Sequence, residues 1–389
     1  MLDARALRPH YGRFLGSGRV LLTGHSHQAW PDVAREGVLR AFDDAALHAD
    51  DKWGAAFEAA DAVRSAVAMQ VHRDARDVAL DLNTHALATR FLSALPLATK
   101  RHLVTTAGEF HTLHRQLRRL AEEGVRVTFV APQPVATLAE RLAVEVGPHT
   151  AAVLCSSVLF ETSSRVPHLD ALAAHCRAKD VALLVDAYHQ FGVVPFDDDL
   201  GDAAFVLGGG YKYAQWGEGV CFLAVPRGCA LRPVLTGWFA DFAHLAESRT
   251  DAPVLYGDGG AARFAGATYD PTSHYRARSV IDFFASQGMD VDALRATSLR
   301  QTARLFEALD AAGLDAVTPR DPAGRGGFVA VRVRDASRAV DALRERGIVV
   351  DARGDLVRLG PAPYTLDDEL DAGVAGLAAV CASCKGAAP

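Results

Sequence analysis

Between about residue 55 and residue 225, short and almost continuous apolar runs alternate with stretches of helical periodicity. Two of these runs are residues 152–156 and 181–186, and an amphipathic stretch at 169–179 lies between them. Strands that read as unbroken apolar runs are buried on both faces, which is typical of parallel sheets covered by helices. The pattern therefore predicts a large α/β unit built on a mainly parallel sheet.

The pattern changes after about residue 275. The expected elements are a long helical stretch at about 275–312, a strand at 327–333, a helix at 336–346, short strands at 348–350 and 356–359, and a final helix from about 366. This order predicts a small α+β unit. We therefore divide the chain into an N-terminal arm (1–50), a large domain (51–260), and an interdomain helix with a small C-terminal domain (261–389).

Composition excludes several classes of function. The 389 residues include 41 Lys and Arg against 47 Asp and Glu, and a net charge of −6 argues against the basic face of a nucleic-acid binder. No segment approaches the roughly 18 apolar residues of a membrane span, and the N terminus lacks a secretory pattern. The six cysteines are mostly isolated within apolar stretches, so we expect a cytoplasmic protein with reduced cysteines. The CxxC pair Cys381 and Cys384 has no second pair, so we expect no metal site.

Two charged residues follow neighbouring predicted strands. Asp186 ends an apolar run, and Lys212 lies in a Gly-rich segment after the next run. Ligands of open α/β sheets bind at the carboxyl ends of the strands. Pyridoxal phosphate (PLP) requires a Lys amine for its Schiff base and an acid that keeps its pyridine nitrogen protonated. Either residue alone is equally typical of a turn or a solvated surface, but the pair favours a PLP site.

A phosphate subsite is expected beside this pair. Asn83 and Thr84 follow a predicted strand and open an apolar helical stretch. Free N–H groups and the helix dipole at such a start favour a phosphate group. The same residues are also typical of a plain N-cap, which is compatible with phosphate binding.

Several motifs, in order along nearly the whole chain, are similar to those of one enzyme group. They are Asp186-Ala-Tyr-His189 with Gly192, Gly210-Tyr211-Lys212-Tyr213 with Gly217 and Gly219, Thr236-Gly237-Trp238-Phe239, and the block from Arg346 to Asp351 followed by Val357-Arg358 and Pro361-Ala362-Pro363. On these residues the chain resembles the fold-type-I PLP-dependent enzymes of the class V aminotransferase superfamily, and within it most resembles kynureninase. The resemblance implies a large domain with a mainly parallel seven-stranded sheet, a small C-terminal α+β domain, and a homodimer with shared active sites.

The resemblance also implies a role for each matching residue. Lys212 would carry the Schiff base and move the Cα proton, and Asp186 would pair with the pyridine nitrogen. The further cofactor contacts would be Asn83, Thr84, Phe110, His189, Tyr211 and Trp238, with Phe110 stacked on the ring and Trp238 reaching a neighbouring active site. The substrate contacts would be Arg358, which would grip the α-carboxylate, together with Asp270, His25 and Ser26.

The chain departs from the family pattern on the substrate side. It has Gly24-His25-Ser26-His27-Gln28 where the family has Gly-Asn-Ser-Leu-Gly, Asp270 before Pro271 where the family has Asn, and His111-Thr112-Leu113 where the family has Pro-Ser-Asp. The expected reaction is hydrolytic Cβ–Cγ cleavage of kynurenine or a related aryl-ketone amino acid, within tryptophan catabolism. The alternatives are an aminotransferase, epimerase or β-lyase reaction, and a non-catalytic protein on the same fold.

A cysteine desulfurase is disfavoured by the positions of the cysteines. That reaction needs a nucleophilic Cys on a loop before the C-terminal strands, and none of the six cysteines falls between residues 230 and 380. Cysteine desulfurases have His at the position of Phe110, Gln at the position of His189, and His at the position of Tyr211. These three positions favour the kynureninase interpretation.

Overall fold

Twelve strands are found in the computed structural model, which describes residues 2–196, 198–248 and 251–385. In chain order they are β1 (Val20–Leu21), β2 (Val78–Asp81), β3 (His102–Thr106), β4 (Arg126–Val130), β5 (Thr150–Ser156), β6 (Ala182–Asp186), β7 (Phe205–Gly209), β8 (Cys221–Ala224), β9 (Val329–Arg332), β10 (Ile348–Val349), β11 (Asp351–Arg353) and β12 (Leu356–Leu359).

Seven of these strands form one sheet in the order β2-β8-β7-β6-β5-β3-β4. The strands from β7 to β4 pair in parallel, whereas β8 runs antiparallel to both β7 and β2. The architecture is α/β with a mainly parallel seven-stranded sheet, so the predicted fold class is confirmed. The carboxyl ends of β5, β6 and β7 therefore meet at one edge of the sheet.

The described residues also form thirteen α-helices. They are α1 (Ala4–Leu7), α2 (Gly12–Leu15), α3 (Val33–His48), α4 (Trp53–Val71), α5 (Thr84–Ala94), α6 (His111–Glu122), α7 (Leu138–Val144), α8 (Leu169–Ala178), α9 (Gly260–Arg263), α10 (Thr272–Ser286), α11 (Val291–Ala311), α12 (Ala336–Glu345) and α13 (Asp367–Lys385). Within the described ranges, no helix is long and apolar enough to cross a membrane.

The apolar core lies on both faces of the sheet. Val153 and Val185 belong to one buried cluster, which also takes in side chains of α4 and α8. Their neighbours Leu154 and Leu184 belong to a second cluster with α5 and α6. Successive side chains of a strand point to opposite faces, so a strand covered on both faces must be apolar at every position. This is why the runs at 152–156 and 181–186 are unbroken.

The C-terminal elements form a separate three-stranded antiparallel sheet in the order β11-β12-β9. Its buried side chains cluster with those of α11, α12 and α13. The N-terminal arm reaches this part of the chain, because Val20 and Leu21 pair in parallel with Ile348 and Val349. The arm is therefore held against the C-terminal unit by backbone hydrogen bonds.

The prediction of one long helical stretch at 275–312 is wrong. Two helices, α10 and α11, occupy this stretch and are separated at Gly288, whose φ of 62° is left-handed. A glycine adopts this conformation without steric cost and ends a helix readily. Of the CxxC pair, Cys381 lies on α13, and the side chain of Cys384 falls outside the part of the structure that is described.

Candidate active site

A cavity of about 220 Å³ lies at the carboxyl ends of β5, β6 and β7. The residues that line it come from the last residues of β5 and β6, from the loops after β2, β3, β5, β6 and β7, and from the starts of α5 and β8. Those with polar or aromatic side chains include Asn83, Thr84, Phe110, Ser156, Phe160, Asp186, Tyr188, His189, Tyr211 and Lys212. All the predicted cofactor-binding residues except Trp238 are therefore brought together in one cavity.

Lys212 projects into this cavity from the segment after β7. The preceding Gly210 permits a close turn, because a Cβ there would collide with the ring of Trp216. The Lys212 Nζ lies 2.8 Å from Nε2 of His189 and 4.4 Å from the centroid of the Tyr188 ring. Burial lowers the pKa of Lys212 to about 7, against the opposing effect of Asp186. A large fraction of the amine is thus neutral and nucleophilic near neutral pH.

His189 is a neutral hydrogen-bond partner of this lysine. Burial, with a further contribution from Lys212, holds the pKa of His189 well below its usual value. Its Nδ1 is buried and has no hydrogen-bond partner among the described residues. A neutral imidazole whose Nε2 faces the amine accepts a hydrogen bond from Nζ. Its other nitrogen remains available to a group bound in the cavity.

Asp186 ends β6 and faces the cavity. The N–H of Tyr188 donates to its Oδ1 at 2.9 Å, and burial raises the pKa of the carboxyl group. Within the described ranges, Asp186 forms no salt bridge. A desolvated carboxylate without a cation is costly unless a ligand supplies the partner. The protonated pyridine nitrogen of PLP is such a partner, so the residues present fit this cofactor.

The phosphate end of the cavity is formed at the N terminus of α5. Asn83 is the N-cap, and its Oδ1 accepts from the N–H of Ala86 at 2.9 Å. Its oxygen therefore serves the helix, as the N-cap interpretation predicts. Thr84 and Tyr211 also line the cavity and supply hydroxyl donors beside the helix terminus.

Arg358 is buried behind the cavity but is already paired. Its Nε donates to Oδ1 of Asp351 at 2.8 Å, its second terminal nitrogen contacts Oδ2, and Nη1 donates to the carbonyl of Phe160 at 2.6 Å. His25 Nε2 lies 2.8 Å from the same Asp351 Oδ1. The predicted substrate-carboxylate ligand thus has a carboxylate partner within the protein.

The sequence analysis assigned no role to Asp351, although the signal for this contact was present. Gly354 and Asp355 form a two-residue connection between β11 and β12, with Gly354 at a φ of 56°. The antiparallel register then places Asp351 opposite Arg358. A hairpin prediction at this point would have found the pair.

Three other predicted site residues lie outside the cavity. Trp238 is 44% exposed and stacks on Phe239 with ring centroids 4.4 Å apart. Asp270 is exposed, and its Oδ1 accepts from the N–H and hydroxyl of Thr272 at 2.9 and 2.6 Å. Ser26 is buried and contacts the carbonyl of Thr23 at 3.4 Å. Within one chain, none of the three lines the wall of the cavity.

A buried lysine after β7, an aspartate at the end of β6 with no salt bridge among the described residues, and a helix terminus suited to phosphate, all at one edge of this sheet, define a fold-type-I PLP-dependent enzyme. Similar architecture is found in the cystine C–S lyase C-DES, in a mutant with glycine covalently linked to its PLP cofactor (TM-score 0.85, 19% identity, 95% of this chain and 98% of that chain). It is also found in apo cysteine desulfurase from Thermococcus onnurineus (TM-score 0.82, 16% identity, 98% and 99%). These similarities concern the fold.

The sequence comparisons show the family. Residues 294–377 match the model of the kynureninase C-terminal domain. The chain is 30% identical over 343 residues to a kynureninase from Deinococcus radiodurans, covering 84% of this chain and 80% of that protein. It is 31% identical over 242 residues to a kynureninase from Pseudomonas fluorescens, covering 59% and 56%. The chain belongs to the kynureninase family, and its cofactor is PLP.

Proposed function

We propose that this enzyme hydrolyses the Cβ–Cγ bond of kynurenine or a related aryl-ketone amino acid. The products are alanine and an anthranilate-type acid, and one water molecule is consumed. The observation that carries this proposal is membership of the kynureninase family, shown by the match to the Deinococcus radiodurans protein. We place the reaction in tryptophan catabolism in the cytoplasm.

The residues of the cavity support the chemistry that PLP supplies, which is withdrawal of electrons from the substrate Cα. Lys212 holds the amine that binds the cofactor and then moves the Cα proton. Asp186 would accept a hydrogen bond from the pyridine N–H and keep that nitrogen positive, and Phe110 would pack against the ring. His189 Nε2 accepts a hydrogen bond from Nζ, because the two nitrogens lie 2.8 Å apart. Asn83, Thr84 and Tyr211 hold the phosphate.

Arg358 and the altered N-terminal loop would bind the substrate. Two guanidinium nitrogens of Arg358 contact Asp351 and the third donates to the carbonyl of Phe160, so one N–H on each terminal nitrogen would remain for an α-carboxylate. His25 contacts the same Oδ1 of Asp351 as Arg358 does and would act on the substrate through that carboxylate. Ser26 shapes the same loop.

A homodimer would bring Trp238 and Asp270 to a neighbouring active site. Supporting this, apolar side chains near Trp238 are exposed, notably Phe242 at 48% and Leu245 at 47%. Contiguous exposed apolar surface marks a protein interface. Light scattering of the purified protein tests whether it is a dimer. If the protein is a monomer at micromolar concentration, Trp238 and Asp270 are not part of the active site.

Product analysis tests the reaction itself. The PLP-loaded protein is incubated with kynurenine and with 3-hydroxykynurenine, and the aryl acid and alanine are quantified by chromatography. We expect equimolar products and none from the Lys212→Ala variant. A keto acid formed by transamination would instead identify an aminotransferase, and a racemised substrate would identify an epimerase. Elimination products from other amino acids would identify a β-lyase. A protein that binds no PLP would favour the non-catalytic alternative.

A further inference from the structure

Glu109 is a buried carboxyl group that the reaction described above does not use. It is 3% exposed and does not line the cavity, although Phe110 beside it and Ser156 in front of it do. Its Oε1 accepts from the N–H of Ser156 at 2.6 Å, and its Oε2 lies 2.8 Å from the Ser156 hydroxyl oxygen. Both oxygens thus contact a single residue.

The position of Ser156 shows which parts of the site this contact connects. Ser156 is the last residue of β5 and lies opposite Asp186 in the register of β5 and β6. Phe110 is the N-cap of α6 and forms no side-chain cap hydrogen bond of its own. The side chain of Glu109 therefore ties the segment that carries Phe110 to the strand end beside Asp186.

We propose that Glu109 is a positioning residue whose uncharged carboxyl group fastens the Phe110 segment to the end of β5, leaving Asp186 as the single anion facing the pyridine nitrogen. The two hydrogen bonds are compatible with an uncharged acid. Oε1 accepts from the Ser156 N–H, and a protonated Oε2 donates to the Ser156 hydroxyl oxygen, which is equally able to accept. No change in side-chain position is needed.

The charges around Glu109 support the neutral form. Burial, followed by the negative charge of Asp186, raises the pKa of Glu109 to about 8, against the opposing hydrogen bonds from Ser156. The Cys155 thiol also interacts electrostatically with Glu109, and burial raises the pKa of that thiol. Among the described residues, no Lys, Arg or His forms a salt bridge with Glu109. This role does not depend on which amino acid is the substrate.

Two substitutions separate the positioning role from a need for charge. Glu109→Gln keeps both contacts without a charge, since its amide oxygen accepts from the Ser156 N–H and its amide nitrogen donates to the hydroxyl. Glu109→Ala removes both contacts. Glu145→Gln, at an exposed position, is the matched control. The readouts are the dissociation constant for PLP and the melting temperature of the full-length holoenzyme from pH 5 to pH 9, neither of which requires kynurenine.

The expected melting curves follow from proton linkage. An acid with a folded pKa of about 8 and an unfolded pKa of about 4.3 costs stability progressively as pH rises between these values. The melting temperature of Glu109→Gln should therefore rise relative to wild type from pH 5 to pH 8, then level off. A difference that is constant across this range, as expected for Glu145→Gln, would show Glu109 to be ionised and would overturn the proposal.

The affinity for PLP provides the second outcome. Glu109→Ala should weaken PLP binding on the order of tenfold, because it frees the Phe110 segment and leaves Ser156 groups unpaired. Glu109→Gln should bind PLP within about threefold of wild type, since hydrogen-bond geometry is kept. The proposal fails if Glu109→Gln loses PLP as strongly as Glu109→Ala, or if Glu109→Ala binds PLP as tightly as wild type.

Discussion

Arg358 and Asp351 form a two-point ion pair across the β11–β12 hairpin, and the guanidinium group is only 2% exposed. The carboxyl group of Asp351 also contacts His25, so one aspartate joins the N-terminal arm to the C-terminal sheet. Although burial raises its pKa, His25 and Arg358 hold the pKa of Asp351 well below its usual range. The charge of Arg358 is therefore balanced before any substrate carboxylate binds.

We expect Asp351→Asn to destabilise the protein strongly. It leaves a buried guanidinium without its anion, which costs about 3–5 kcal/mol in comparable cases. Urea denaturation at pH 7 measures the change in the free energy of unfolding. Asp355→Asn is the matched control on the same hairpin, because its pair with Arg332 is exposed and exposed pairs contribute about 0–1 kcal/mol. Equal losses in the two variants would contradict the role of Asp351.

The pH dependence of stability should report on His25. Burial lowers the pKa of His25 to about 4, whereas its unfolded pKa is about 6.5. In this interval the unfolded chain binds the extra proton, so the contribution of His25 to stability falls as pH decreases from 6.5 to 4. Melting temperatures across this range should change less steeply in His25→Asn than in wild type. Parallel curves for the two proteins would refute the assignment.

The sheet was predictable where burial on both faces leaves an unbroken apolar run. The direction of each strand was not predictable, because apolar residues on both faces carry no information on strand polarity. The run that becomes β8 looks like its neighbours, yet β8 is antiparallel to β7. The pairing of Val20 with Ile348 was also hidden, because two residues are too short for a pattern and the partner is 328 positions away.

The residues of the candidate site were likewise predictable only in part. Asp186 and Lys212 could be found because each follows a recognisable strand, and strand ends of an α/β sheet meet. Gln28 could not be found, since its contact joins the arm to a distant loop with no periodic pattern at either end. Glu109 was visible in the sequence beside Phe110, but only the fold shows that both of its carboxyl oxygens contact Ser156.

We expect the neutral amine of Lys212 to set the rate at which the protein takes up its cofactor. Because burial lowers the pKa of Lys212 to about 7, the reactive form increases with pH and reaches half of its maximum near pH 7. We expect the rate constant for PLP incorporation into cofactor-free protein, followed by absorbance, to rise with this midpoint. Lys212→Ala should show no covalent incorporation. A rate that keeps rising to pH 10 would indicate an unperturbed lysine.

A buried hydrogen-bonded chain connects the N-terminal arm to Lys212. The Tyr11 hydroxyl donates to Oε1 of Gln215 at 2.7 Å, Gln215 Nε2 donates to Oε1 of Gln28 at 3.4 Å, and Gln28 Nε2 donates to the backbone carbonyl of Lys212. All three side chains are buried. The arm thereby holds the backbone of Lys212, the residue proposed to bind the cofactor.

We expect Gln28→Leu to weaken cofactor binding more than Tyr11→Phe does. Leucine removes the side-chain donor to the Lys212 carbonyl, which keeps only the N–H of Gln215 at 3.0 Å, and it leaves Gln215 Nε2 without its acceptor. The unpaired buried donor costs about 1–3 kcal/mol, and the weaker hold on the carbonyl allows the lysine backbone to move. Phenylalanine removes only the outer hydroxyl and keeps the ring packing against Tyr364, whose centroid is 4.6 Å away. Equilibrium dialysis with PLP measures both affinities, and Gln28→Glu tests whether an acceptor can replace the donor. If Gln28→Leu retains wild-type affinity, the arm does not position Lys212.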